Sequence, residues 1–425
     1  MLGAAMSREM PAIEPRAARL PASACFLALV LVTPGCAEEV GPEPGLYERC
    51  DIRDPACQER VFEGIQLERG VVMGGLPPIR VIDRATLRAE LEEQASESSV
   101  PVPHLDAAYR LLALVPEDRT SAMASIDEQV ARVAAFYRRE QRDVTIVDRG
   151  APMDLADDMA ILAHELVHFI QDELYGIAAF YDLAESRDES FARVAVVEGD
   201  ASYHEIAYAL RIAEVDPRSV RWTDFYDDWL SRTLRSVRES DAPIHASRSL
   251  AYVTGANLLT RRRQDRGDPE AGQLWALPPR TSRELLFDRE SGRGSAAAAT
   301  GVSCPGSPAP PVETMALEHV ITMGAIGVLA VLSTTDRDED EIWRLARTLA
   351  GDRLSIYGDE DGATTALLWR IRLDSEDDAR ATHVALTTSP AWGAVVIDSA
   401  GDEVVLAGAT EPALVSGWRA RTSCE

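Results

Sequence analysis

The stretch DDMAILAHELVHFIQD, residues 157–172, decides the predicted fold and chemistry of this chain. Its apolar residues recur every three or four positions, which predicts one amphipathic helix. His164 and His168 are four residues apart, so they lie one turn above the other on one face of that helix. Two imidazoles placed in this way can bind one zinc ion, and Glu165 beside them can act as general base; this is the pattern H-E-x-x-H.

A third ligand is predicted in the next helical stretch, where residues 196–201 read VVEGDA. A carboxylate among valines is expensive to bury unless it binds something, which makes Glu198 the expected third zinc ligand. Gly199 directly after it lowers the helix propensity. A glycine there makes sense if another helix or a metal must approach closely.

Other ligand sets can be compared with the same residues. The three-histidine pattern H-E-x-x-H-x-x-G-x-x-H would require glycine at position 171 and histidine at position 174, but Gln171 and Leu174 stand there. His204 is a rival ligand. The simpler interpretation of His204 is an exposed histidine on a helix.

The two motifs together resemble a known family. The run AHELVH with QD (residues 163–168 and 171–172), followed by VEGDA (residues 197–201), is similar to the glutamate-type zinc metallopeptidases, the gluzincins, and more narrowly to a bacterial secreted group of neutral zinc peptidases. Weaker similarity extends from about Val81 to Asp374. The resemblance implies an α+β fold, with a zincin-like, largely helical catalytic domain and a small sheet.

The resemblance also implies side chains that orient the ligands. Gluzincins often carry an aspartate four residues after the glutamate ligand, but Ser202 occupies that position here. Asp200 or Asp172 is therefore the expected partner of a ligand imidazole.

In the family that this chain resembles, a hairpin precedes the zinc helix, and in zincins the edge strand of the small sheet pairs with extended substrate. The alternating stretch at residues 144–147 is the candidate, so Val144, Thr145 and Ile146 are expected to bind substrate. An ordinary core strand is the alternative interpretation.

Zinc-dependent hydrolysis also needs a donor for the oxyanion of the tetrahedral intermediate. Residues 243–257 are similar to a tyrosine-containing segment of the family that ends in glycine, and they offer Tyr252 and His245 as candidates. A buried aromatic residue and a surface histidine are the alternative interpretations.

Composition limits the possible partners. The 425-residue chain has a net charge of −27, and its basic residues are all arginine, which excludes Schiff-base and P-loop lysine chemistry. So acidic a chain is a poor nucleic-acid binder. The expected partner is a peptide or protein substrate, with no nucleic acid.

The first 35 residues predict export. Arg16 and Arg19 precede an apolar run from Ala22 to Val32 that is too short to span a membrane. The run ends in TPGC, which looks like a bacterial lipoprotein cleavage site with Cys36 as the lipidated residue. The expected location is the cell envelope, with membrane contact only through the lipid anchor; an ordinary cleaved signal is the alternative.

Four further cysteines remain in the mature chain, and an even number in an exported protein suggests two disulfides. Three pairings are possible. Cys50–Cys57, as a small local loop, and Cys304–Cys424, which would tie back the tail, are the expected pair.

Composition and the resemblance together divide the chain as follows: 1–35 signal peptide; 36–75 tether with a disulfide loop; 76–291 zincin-like metallopeptidase domain; 292–311 linker; 312–425 C-terminal α+β module.

The expected function is an exported zinc metallopeptidase. It is expected to be an endopeptidase because the G-x-M-E-N run of the aminopeptidases is missing from the sequence. Two alternatives stay open: a catalytically silent zinc-site lipoprotein that acts as a cell-envelope binding or assembly factor, and a metallohydrolase of non-peptide substrates.

Overall fold

The computed structural model describes seven segments of the chain: 45–98, 103–118, 120–150, 154–266, 271–287, 309–388 and 395–418. These segments form a mixed architecture with helices and two sheets, which confirms the predicted α+β class. The predicted signal peptide, Cys36 and the Cys304–Cys424 pair lie outside the described residues. No helix in the described segments is both long and apolar enough to cross a membrane.

The helices are α1 (Pro55–Arg69), α2 (Arg84–Ser98), α3 (Pro103–Leu111), α4 (Ser121–Arg132), α5 (Leu155–Tyr175), α6 (Ile177–Asp182), α7 (Arg187–Ile212), α8 (Trp222–Glu239), α9 (Pro243–Ala246), α10 (Leu250–Arg266), α11 (Ala271–Ala276), α12 (Ser282–Phe287), α13 (Gly324–Leu332), α14 (Glu339–Arg347), α15 (Glu376–Thr387) and α16 (Ala413–Trp418). The strands are β1 (Ile79–Asp83), β2 (Ala135–Arg138), β3 (Asp143–Asp148), β4 (Ala316–Ile321), β5 (Leu349–Gly358), β6 (Thr365–Leu373), β7 (Val395–Ala400) and β8 (Glu403–Ala409).

Helix α5 is the predicted H-E-x-x-H helix, and both of its ends have a local cause. The Asp154 side chain accepts a hydrogen bond from the Ala156 N–H, which satisfies one of the free amide groups of the first turn. Gly176 ends the helix with φ 71°, a left-handed conformation that glycine adopts without strain. Between these ends the helix is apolar on one face, and that face is buried against α1, α7 and the small sheet.

The small sheet has the order β1-β3-β2, with β1 parallel and β2 antiparallel to β3. Strand β3 is therefore the central strand, and the prediction that it is a substrate-binding edge is wrong. Val144, Thr145 and Ile146 have partners on both sides and are buried. The predicted hairpin before the zinc helix is present as β2 and β3. The sequence did not reveal that β1, more than sixty residues earlier, pairs with the side of β3 that faces away from β2.

The Cys50–Cys57 disulfide is present, as predicted. The described part of the predicted tether, however, is a packed part of the fold, because it contains the 15-residue helix α1. Val61 and Ile65 of this helix are fully buried in one hydrophobic cluster with α5 and α7. The prediction of a tether is therefore wrong from residue 45 onward.

The second sheet is antiparallel, with the order β4-β5-β6-β8-β7. Its residues Ile356 and Trp369 belong to the same hydrophobic cluster as Tyr109 of α3, Tyr226 of α8 and Leu250 of α10. The predicted catalytic region and the predicted C-terminal module therefore share one core. Of the predicted linker between them, only residues 309–311 are described.

Candidate metal centre

Helices α5 and α7 bring three donor atoms together. The Nε2 atoms of His164 and His168 are 3.0 Å apart, and they lie 3.3 Å and 3.1 Å from Oε2 of Glu198. Donors around a tetrahedral zinc ion, with bonds of about 2.0–2.1 Å, are about 3.3–3.4 Å apart, so the three atoms fit one ion. All three residues are at most 3 % exposed. This buried group could bind a metal ion, and the described residues hold no second group of this kind.

The hydrogen bonds behind the two imidazoles determine which ring nitrogen faces the centre. Nδ1 of His164 lies 3.1 Å from Oε2 of Glu205, and Nδ1 of His168 lies 2.8 Å from Oε1 of Gln171. Because these oxygens are acceptors, the hydrogen-bond network assigns the ring protons to both Nδ1 atoms. The two Nε2 lone pairs then point at each other and at the Glu198 carboxylate. Such an arrangement is repulsive unless a cation, a metal ion or a proton, lies between the three atoms.

The orientation of the Gln171 amide follows from its own partners. Its Nε2 donates to the Val197 carbonyl and to Oδ2 of Asp200, both at 2.9 Å. Both partners are acceptors, so the amide nitrogen must face them, and Oε1 must face His168.

The charges of the group are strongly coupled. Burial alone would raise the pKa of Glu198, but the two imidazoles outweigh burial and lower the pKa to about 2. In the same way, burial works against protonation of His164, but the carboxylates of Glu198 and Glu205 outweigh burial and raise its pKa. The protein therefore stabilises positive charge between these side chains.

Glu165 is placed for proton transfer. Its Oε2 accepts a hydrogen bond from the backbone N–H of Tyr137, on strand β2, at 2.8 Å. Burial raises the pKa of Glu165 to about 7, although the neighbouring imidazoles and this hydrogen bond act in the opposite direction. A carboxylate with a pKa near neutrality can accept a proton and return it.

Neither of the two aspartates predicted to orient the imidazole ligands is a direct partner of His164 or His168. Oδ2 of Asp172 accepts a hydrogen bond from the Tyr137 hydroxyl at 3.0 Å. Asp200 bonds to Gln171, and so reaches His168 only through that amide. The direct partners of the ligand rings are Glu205 and Gln171.

Sequence reasoning missed both direct partners, although each carries a signal. Gln171 lies three residues after His168, and Glu205 lies two helical turns after Glu198, so each shares a helix face with a ligand. His204, predicted to be exposed, is 1 % exposed, and its Nε2 lies 3.4 Å from Oδ1 of Asp200.

Of the two candidate oxyanion donors, the structure brings Tyr252 to the centre. Its ring, on α10, has its centroid 6.0 Å from that of His164 and is tilted 31° to it. His245 is buried on α9, a short helix that packs against α8 and α13.

Helix α10 reaches the centre through a close crossing with α7. A Cβ atom on Gly199 would lie 2.1 Å from the carbonyl carbon of Gly255, and one on Gly255 would lie 1.7 Å from the Ala195 oxygen. The expected close approach at Gly199 is therefore confirmed, with a helix as the neighbour. It allows Glu198 and Tyr252, on adjacent helices, to face one site.

The centre thus has three convergent protein donors, a buried carboxylate beside them, and a hydrogen-bonded partner behind each imidazole. Comparison of the chain with protein-family models, with curated protein sequences and with solved structures finds no match.

Proposed function

We propose that this chain is a zinc-dependent metallopeptidase with a zincin-like catalytic region. The observation that carries the proposal is the convergence of His164, His168 and Glu198 beside the buried carboxylate of Glu165. Two imidazoles and one carboxylate are a donor set typical of catalytic zinc, whereas structural zinc sites usually take four protein ligands. A purely structural site would also have no need of a buried base.

The chemistry divides between the ion and the side chains. Zinc, when bound, acts as a Lewis acid that polarises the substrate carbonyl and lowers the pKa of water. Glu165 accepts the proton of the attacking water and transfers it to the leaving amine, so it acts first as base and then as acid. The Tyr137 N–H donates a hydrogen bond to one oxygen of Glu165 and so orients this carboxylate.

Charge that develops on the carbonyl oxygen needs a donor. Tyr252 is the proposed donor, because its ring lies beside that of His164. His245, the second candidate from the sequence, is buried on α9. An endopeptidase is proposed because the aminopeptidase run G-x-M-E-N is missing from the sequence.

Export and lipid attachment at Cys36 remain part of the proposal. The Cys50–Cys57 disulfide supports export, because disulfides form in oxidising compartments and are rare in the cytosol.

A Glu165→Gln variant tests the proposal. It is expected to keep the zinc content of the wild type and to lose turnover of a casein-type substrate by at least about 100-fold, the usual contribution of a general base. Glu173→Gln, a partly exposed position on the same helix, is the matched control and should cleave like the wild type. A chelator should abolish wild-type cleavage.

Other results would favour the alternatives. If the Glu165→Gln variant performs the cellular role of the protein as well as the wild type does, the peptidase is refuted. That result would support the silent zinc-site lipoprotein, a binding or assembly factor. A protein that binds zinc but cleaves no peptide, while hydrolysing esters or other substrates, would be a different metallohydrolase.

A further inference from the structure

A buried chain of polar contacts connects helix α1 with the metal centre. NH1 of Arg69, the last residue of α1, lies 2.6 Å from Oδ2 of Asp200. The same oxygen accepts the hydrogen bond of Gln171 at 2.9 Å, and the other end of that amide contacts His168 at 2.8 Å. The side chains of Arg69 and Asp200 are 5 % and 3 % exposed, and Gln171 is fully buried.

The position of Arg69 follows from the fold of the N-terminal segment. Helix α1 packs against α5 and α7, and Gly70 ends it with φ 66°, directly after the arginine. Its first turn is joined by the Cys50–Cys57 disulfide to the preceding loop. The segment therefore holds the guanidinium group at a fixed place, although no residue of α1 belongs to the proposed ligand set.

Each contact in this series fixes the position of the group that makes the next contact. A buried carboxylate is costly without a cationic partner, so the charge of Arg69 keeps Asp200 in place as an acceptor. Asp200 in turn gives the amide nitrogen of Gln171 a second acceptor besides the Val197 carbonyl. With its nitrogen held there, the amide presents oxygen to His168, and the lone pair of His168 Nε2 faces Glu198.

We propose that Arg69 is a positioning residue of the metal centre, which acts on His168 through Asp200 and Gln171. Helix α1 is then part of the metal-binding machinery as well as of the hydrophobic core. This inference rests on the metal-binding half of the proposed function and does not depend on peptide hydrolysis.

The test measures the zinc dissociation constant of the purified full-length chain by competition with a chelator, together with the thermal unfolding of the metal-free protein. Gln171→Leu removes the direct partner of His168 and should weaken zinc binding about 10- to 100-fold. Arg69→Met, which removes the charge and keeps much of the length, should weaken it about 10-fold. Arg60→Met is the matched control on α1, because Arg60 pairs only loosely, at 3.8 Å, with the exposed Glu48.

The double variant Arg69→Met/Gln171→Leu separates positioning from packing. If Arg69 acts through Gln171, the double variant binds zinc as weakly as Gln171→Leu alone. If the two losses multiply, or if Arg69→Met lowers the unfolding temperature while zinc affinity stays within about two-fold, the inference is overturned.

A second double variant, which removes both charges of the buried ion pair, keeps the test decisive should Arg69→Met not fold. Arg69→Met/Asp200→Leu removes both members of the buried ion pair, a change that proteins often tolerate. The folded pair should still bind zinc about 10-fold more weakly, because Gln171 has lost an acceptor; zinc affinity equal to the wild type would overturn the inference. Zinc binding without any peptidase activity would refute the proposed function and leave this test intact.

Discussion

A methyl group added at Gly199 tests the close helix crossing that holds the metal centre together. The added Cβ would lie 2.1 Å from the Gly255 carbonyl carbon and 2.4 Å from the Ala256 nitrogen. Both atoms belong to the backbone of α10, so no change of side-chain conformation relieves the contact. To restore ordinary van der Waals distance, α7 and α10 must move apart by about 1 Å or more.

The expected magnitude combines two opposing effects. Alanine in place of glycine in a helix interior would by itself stabilise the protein by about 1 kcal/mol. Forcing an extra carbon into a close-packed contact typically costs about 1–3 kcal/mol, and a rigid backbone contact belongs at the upper end. The net expectation for Gly199→Ala is a loss of about 2 kcal/mol in the free energy of unfolding. Zinc affinity should fall as well, because Glu198 lies on one of the displaced helices.

Denaturant titration of the metal-free protein measures the loss of unfolding free energy, and competition with a chelator measures the zinc affinity. Gly74→Ala is the control, since a Cβ there would meet nothing within 4 Å. A Gly199→Ala protein that is about 1 kcal/mol more stable than the wild type, with unchanged zinc affinity, would show helix propensity alone. That result would refute the close crossing and the structural account of the neighbouring Glu198.

Two further predictions concern single carboxylates. Glu205→Leu should weaken zinc binding about 10- to 100-fold, because His164 loses the acceptor that orients its ring, and equal zinc affinity in the two proteins would contradict that role. Burial raises the pKa of Asp188 to about 7, against the opposing hydrogen bond from the Ser282 N–H, so the stability that its protonated form contributes is complete below about pH 4 and is lost as the pH rises through about 7. Asp188→Asn should therefore lose less unfolding free energy than the wild type between pH 5 and pH 8; parallel pH profiles would contradict the assignment.

The parts of the centre that the sequence predicts are those encoded by local spacing. His164 and His168 follow from a four-residue interval on a helix, and Glu198 follows from the cost of a carboxylate among valines. The Cys50–Cys57 pair is local in the same sense.

What the sequence does not reveal depends on distant contacts. The central position of β3 requires β1 to pair with it, which no property of residues 143–148 specifies. Arg69 lies 131 residues before Asp200, and a composition rich in glycine and charge suggested a tether where α1 in fact packs. Periodicity identifies a buried face but does not identify its partner.

The charge balance of the centre explains why its folding and metal binding should be coupled. Glu165, Glu198, Glu205 and Asp200 are each at most 5 % exposed, and the guanidinium group of Arg69 pairs with Asp200. With neutral imidazoles, the carboxylates of Glu165 and Glu198 would leave an excess of negative charge around the metal site, in a place that water does not solvate. The metal-free protein must offset this excess with protons, which is why the pKa of the His164 ring is raised. A divalent cation can replace those protons, so zinc should stabilise the fold and its binding should release protons. The number of protons released should be larger at a lower pH, where the imidazoles of the metal-free protein are charged.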